Sequence, residues 1–138
     1  MRCGDTLLIP APDSHAISHL WIILTEPHPE SHLCVIVSVT TLRNNQDQTV
    51  LLRKGEHPFI RHDSVISYRD AMIVDCRKLD AELAAGATVQ RECCSSQLLM
   101  SWFSVKWRVA VFGKLSYSAA ARREFSRHRG LSFDEVFT

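Results

Sequence analysis

His32-Leu33-Cys34-Val35-Ile36-Val37-Ser38-Val39-Thr40-Thr41 carries the strongest strand signal in the chain. β-Branched side chains lose rotamer freedom against the preceding turn of a helix but pack freely on a pleated ribbon, so Val35, Ile36, Val37, Val39, Thr40 and Thr41 favour the extended state. A strand of this length predicts a barrel strand that bends. Working outward, Leu20-Trp21-Ile22-Ile23-Leu24-Thr25, bounded by Glu26-Pro27-His28-Pro29, predicts a preceding strand that ends in a turn. Before it, Thr6-Leu7-Leu8-Ile9 predicts a first strand, closed at Pro10-Ala11-Pro12-Asp13 because proline cannot extend a strand ladder. On the other side, Asn44-Asn45-Gln46-Asp47-Gln48 is polar turn chemistry, and Thr49-Val50-Leu51-Leu52-Arg53 is expected to return as a hairpin on the central strand. Val65-Ile66-Ser67-Tyr68 predicts a fifth strand, and Ala71-Met72-Ile73-Val74 is open to reading as a sixth.

Short strands at close spacing predict a small closed or nearly closed β-barrel, since closure removes exposed edges. After Asp75 the texture changes. Leu79–Gly86 predicts a short helical turn with a glycine stop, and the apolar residues between Arg91 and Val109 recur at roughly helical spacing, although Val105–Val109 also reads as a strand. Ser118–His128 suits a short basic helix stopped by Gly130. The expected fold class is therefore mainly β with an α component: a barrel over residues 1–86 and a C-terminal helical, basic extension over 87–138 packed on it. At 138 residues the chain is expected to form one domain.

Bulk composition narrows the class further. With 46% hydrophobic and 22% charged residues, the chain has the usage of a globular protein with a real core, not of a disordered or fibrous one. A formal charge of +1 argues against polyanion binding over the whole surface, yet Ser101 to Gly130 holds Lys106, Arg108, Lys114, Arg122, Arg123, Arg127 and Arg129 against Glu124 alone. Cys3, Cys34, Cys76, Cys93 and Cys94 form no disulfide framework, and no secretory stretch follows Met1, so a cytoplasmic location is expected. Apolar runs such as Leu20–Leu24 fall far short of the roughly 20 residues that span a bilayer, so no membrane association is expected.

The order of features in residues 4–83 resembles the MazF/PemK-like family of toxin ribonucleases, which are built on an SH3-like barrel. The resemblance is carried by Gly4-Asp5-Thr6-Leu7-Leu8-Ile9-Pro10, by Leu20–Thr25, by Val37-Ser38-Val39-Thr40-Thr41, and by Ser64-Val65-Ile66 followed by Asp75 to Leu79. It implies a toxin-type endoribonuclease acting on single-stranded RNA, a protein antitoxin as partner, and a homodimer. The family's Arg-Pro ahead of its second strand is absent; Ser18-His19-Leu20 stands there, so the resemblance places His19 where the family has a catalytic arginine. It also sets Thr41 at the family's strand-end threonine, where a hydroxyl can meet phosphate or base.

Metal-independent RNA cleavage needs a base for the 2′-hydroxyl, an acid for the leaving oxygen and a cation beside the phosphate, and His, Arg and Lys suit these tasks near neutral pH. Gly55-Glu56-His57-Pro58-Phe59-Ile60-Arg61-His62-Asp63-Ser64 supplies a base, an acid and a cation in one loop. The expected catalytic set is His62, His57, Arg61 and His19. The expected substrate-binding set is Thr41, Ser64, Lys54 and the basic Arg122, Arg123 and Arg127. A solvated loop with two idle histidines is the plain alternative for the first group, and a solvated helix face is the alternative for the arginines. No metal and no cofactor are expected: His15/His19 and His28/His32 would share a face only on a helix, which Pro27 and Pro29 oppose, and Cys93-Cys94 are adjacent rather than spaced as a metal pair. A small barrel that binds nucleic acid or a protein without catalysis is the competing function.

Overall fold

A computed structural model describes residues 1–11, 14–44, 46, 48, 50–95 and 99. The helices expected beyond residue 99, with Arg122, Arg123 and Arg127, lie outside the described residues. The elements run β1 (Thr6–Ala11), β2 (Ser14–Ile23), β3 (Leu33–Thr41), β4 (Leu51–Leu52), β5 (Ser64–Asp75), α1 (Cys76–Ala84) and β6 (Val89–Arg91). All strand pairs are antiparallel, in the order β4-β5-β3-β2-β1-β6. The described residues are mainly β, a curled half-barrel with one short helix. No described helix is long and apolar enough to cross a membrane.

β3 explains the arrangement. Its residues from Leu33 to Val39 are buried without interruption, because alternate side chains feed two separate cores. Val35, Val37 and Val39 join Leu20, Ile22, Leu52, Ile66 and Tyr68 on one face. Cys34 and Ile36 join Leu7, Ile23, Cys76 and Leu79 on the other, where α1 provides the cover. Each fully buried Val or Ile of this strand contributes about 1.5–3 kcal/mol of transfer free energy.

β5 is one strand that covers both the expected fifth strand and the stretch Ala71–Val74 left open to reading as a sixth. Opposite β3, Ile36 pairs with Met72 and Ser38 with Ser67, so Tyr68–Ala71 of β5 stand against Val37 alone. The Ser67 hydroxyl donates to Asp70 Oδ2 at 2.6 Å across this bulge, which bends the sheet while Tyr68 and Ala71 stay buried. The hairpin expected between β3 and β4 does not form. β5 already occupies that edge of β3 along most of its length, so β4 pairs with the far side of β5, Leu51 with Val65 and Leu52 with Ser64. β1 also runs past its expected end to Ala11, with Pro10 opposite Ser18. The proline is tolerated because β6 flanks β1 only over Thr6–Leu8, which among the described residues leaves an unpaired edge at Pro10, where the register breaks. β2 correspondingly begins at Ser14 and not at Leu20.

Among the described residues the barrel is not closed by strand pairing: β4 and β6 end the sheet, and both are too short to offer much edge. The sheet does reach past Gly86, where β6 pairs with β1 over Val89–Arg91; most of the helix expected from Arg91 to Val109 lies outside the described residues. Cys94 and Leu99 then pack into the larger core, and Leu99 lies so close to Gly4 that a Cβ there would sit 2.8 Å from its Cδ1. Gly4 has φ +90, so the opening Gly-Asp is a built corner that only glycine fits.

Asp75 caps α1, accepting the Arg77 backbone N–H at 2.9 Å, while Arg77 Nη2 reaches its other carboxylate oxygen at 2.6 Å. Gly86, at φ +74, ends the helix turn as its sequence position predicted. The Arg77 guanidinium beside Asp75 pulls its carboxyl down to about 2. A carboxylate lowered in the folded state stabilises above its unfolded pKa of about 3.9, and that stability is lost as pH falls through about 2. Asp75→Ala is expected to cost about 1 kcal/mol at neutral pH. Urea midpoints of the two proteins should converge between pH 4 and pH 2, and a gap that persists undiminished at pH 2 would refute the cap's role.

Candidate functional site

The segment between β4 and β5 is a compact loop pinned at both ends. Gly55, at φ +90, donates its N–H to the Ile60 carbonyl at 3.0 Å, and Ile60 donates to the His57 carbonyl at 2.8 Å. Ile60 and His57 are each only 5% exposed and anchor the loop. At the exit, Asp63 accepts the Lys54 backbone N–H at 3.1 Å and Arg53 Nη1 at 3.0 Å. These two partners, the backbone donor first, hold the Asp63 carboxyl below the usual carboxylate range.

His57 has a structural task. The Phe59 N–H donates to its Nδ1 at 3.2 Å, and its Nε2 lies 2.7 Å from the Glu92 carbonyl oxygen. A carbonyl only accepts and a backbone N–H only donates, so the ring is the neutral tautomer with its proton on Nε2. The Glu92 oxygen also takes the Thr6 hydroxyl at 2.8 Å. His57 therefore ties the loop after β4 to the residue that follows β6, bridging the two ends of the open sheet. Both its nitrogens are committed, and neither is turned to solvent chemistry.

Apart from Lys54, the remaining predicted residues of this region converge on one groove of about 420 Å³ beside β2, β3 and β5. His19, Thr41, Arg61, His62 and Ser64 line it, joined by Ser18, Arg43 and Phe59. Arg61 and His62 are exposed; Ser64 is buried and donates its hydroxyl to the His62 carbonyl at 2.8 Å, so it sets the position of His62. Thr41 stands opposite Ser64 in the β3–β5 register, and the neighbouring Leu42 N–H donates to the Asp63 carbonyl at 2.9 Å, which fastens β3's exit to the loop. Lys54 and His57 do not line the groove.

His19 occupies its rim. Leu20 and Ile22 turn into the larger core, and Trp21 packs against the other one, so alternation along β2 puts His19 on the Trp21 side. There it also lines a second hollow of about 520 Å³ with Trp21, Thr40, Asp70 and Met72.

Among the described residues no carboxylate lines the groove, and neither Arg43 nor Arg61 forms an ion pair. Asp63 is held away by Arg53 and Lys54, which leaves the groove cationic. Arg43 and Phe59 were not assigned roles from sequence; Arg43's place two residues beyond Thr41, at the exit of the central strand, was the available signal. The arrangement can hold a phosphate between guanidinium groups, offer hydroxyls to it, and present His62 and His19 for proton transfer. A scan of the chain against models of known protein families finds no match, and a search among curated proteins finds no similar sequence.

The two loop histidines should separate cleanly in stability. His57→Ala leaves buried polar groups without partners and opens a cavity, at an expected cost of about 2–4 kcal/mol, whereas exposed His62→Ala should stay within about 0.5 kcal/mol of wild type. Urea denaturation of both variants checks this; equal midpoints would show that His57 is not a strut.

Proposed function

We propose that the chain is a toxin-type endoribonuclease that cleaves single-stranded RNA in this groove without a metal. The observation that carries the reading is the convergence of His19, Thr41, Arg43, Arg61, His62 and Ser64 on one groove that no described carboxylate lines. The resemblance of residues 4–83 to MazF/PemK-like toxins, with their SH3-like barrel, supports it and extends it to a cytoplasmic protein with a protein antitoxin and a homodimeric state.

In this mechanism His62 removes the 2′-hydroxyl proton, and the resulting oxygen attacks the adjacent phosphorus. Arg61 and Arg43 stabilise the charge that builds on the equatorial oxygens. His19, from the rim, delivers a proton to the departing 5′-oxygen, leaving a 2′,3′-cyclic phosphate. Thr41 contacts the phosphate, and Ser64 holds the His62 backbone. His57 drops out of the acid–base pair because its nitrogens serve the fold.

A specific observation favours a second reading, a non-catalytic RNA-binding module: His19 emerges on the opposite face of β2 from Ser18 and Leu20, so an acid and a base are not assembled side-by-side. Incubation of the purified protein with unstructured RNA in EDTA distinguishes the two. Wild type should release fragments ending in cyclic phosphate, and His62→Ala and Arg61→Ala should each slow release about 100-fold or more. Cleavage that survives His62→Ala would sink the mechanism, and intact RNA that is nonetheless bound would leave the binding module standing.

A further inference from the structure

We infer that Phe59 is a stacking platform for an unpaired base, with the guanidinium groups of Arg43 and Arg61 taking the phosphates that flank that nucleotide. The inference rests on reading the groove as an RNA site, and it defines the substrate as a single-stranded segment held by sequence-tolerant contacts.

Phe59 is half-buried: it packs against the larger core yet lines the groove. Its backbone is not free to carry the ring away, since the Phe59 N–H is held by His57 Nδ1 at 3.2 Å, His57 is held by Glu92, and the next residue, Ile60, is 5% exposed in the core. A ring placed in advance loses little conformational freedom when a ligand arrives, so more of the contact energy appears as affinity.

The company Phe59 keeps decides the chemistry of that ligand. Two guanidinium groups, with no carboxylate among the described lining residues, select an anion and disfavour a basic peptide. An aromatic face among cations matches a strand that alternates phosphates with planar bases, the pattern by which single-stranded nucleic acid is held without sequence preference. A duplex keeps its bases stacked on one another and offers no free face to a single ring, which directs the site to unpaired RNA.

The probe for the test is a short labelled 2′-O-methyl oligoribonucleotide, which cannot be cleaved through its 2′-oxygen, beside the same backbone carrying abasic residues. Binding is followed by fluorescence anisotropy. Wild type should prefer the base-bearing probe about tenfold. Phe59→Leu, which keeps apolar volume but loses the aromatic face, should bring that ratio close to one while binding the abasic probe as wild type does. Phe59→Tyr should retain the wild-type ratio, which separates stacking from a packing defect. Arg43→Gln should weaken both probes alike and flatten the salt dependence by about 0.7 per lost phosphate contact. A Phe59→Leu ratio equal to that of wild type overturns the platform, and an unchanged salt slope overturns the role of Arg43. Equal wild-type affinity for both probes overturns the platform while leaving a phosphate-binding groove; no binding of either probe overturns the RNA reading and the platform together.

Discussion

Burial of β3 on both faces is the constraint from which the other elements take their places. A strand whose alternate residues all leave water needs cover above and below as well as partners at both edges. β2 and β5 supply the edges, and each sends its own alternate residues into the same two cores. Cys76 and Leu79 of α1 close one core, which ties the helix start to the end of β5 through the Asp75 cap. The other core must be enclosed by the sheet itself, and a sheet can enclose a core only by curling. The bulge at Tyr68–Ala71 is what lets a strand as long as β5 follow that curl.

Curling without strand closure among the described residues leaves two ends to reconcile. The sheet does this with side chains: the loop after β4 folds across, Ile60 enters the larger core, and His57 reaches the Glu92 carbonyl. The consequence for chemistry is direct. A loop nailed down at His57 and Ile60 and clamped at Asp63 can present Phe59, Arg61 and His62 with little freedom, while Thr41 and Arg43 meet them from the exit of β3. The groove is thus a by-product of how the half-barrel is finished.

How much of this was readable in the sequence depended on whether the signal was local. Strand positions for β1, β3 and β5 and the glycine at residue 86 follow from side-chain branching and backbone freedom, and they emerge close to where the residues place them. Pairing is not local. Val50-Leu51-Leu52 looks like the second arm of a hairpin, and only competition from β5 for the same edge of β3 moves β4 outward. The break at Pro10 likewise depends on the short reach of β6, which no residue near Pro10 discloses. Among the site residues, His57 and His62 are equivalent as letters, each in a polar stretch beside an apolar one. What separates them is the Glu92 carbonyl, thirty-five residues away in sequence. Arg43 was hidden for the opposite reason: it sits in turn chemistry, where a charged residue attracts no notice until Thr41 and His62 are seen beside it.

Net charge also misleads at this scale. A chain of formal charge +1 gives no hint of a cationic groove, and Asp63 lies next to His62 in sequence, where it would be expected to neutralise the site. The structure assigns that carboxylate elsewhere, to the Lys54 N–H and the Arg53 guanidinium. Such an exposed pair adds little to stability, because water and salt screen it. Its effect is on where charge is placed: with Asp63 occupied, neither Arg61 nor Arg43 has an acidic partner among the described residues as it meets the groove. An ion pair of small energetic weight can therefore fix the sign of a binding surface, provided that backbone bonds such as the one from Lys54 hold the acid in place.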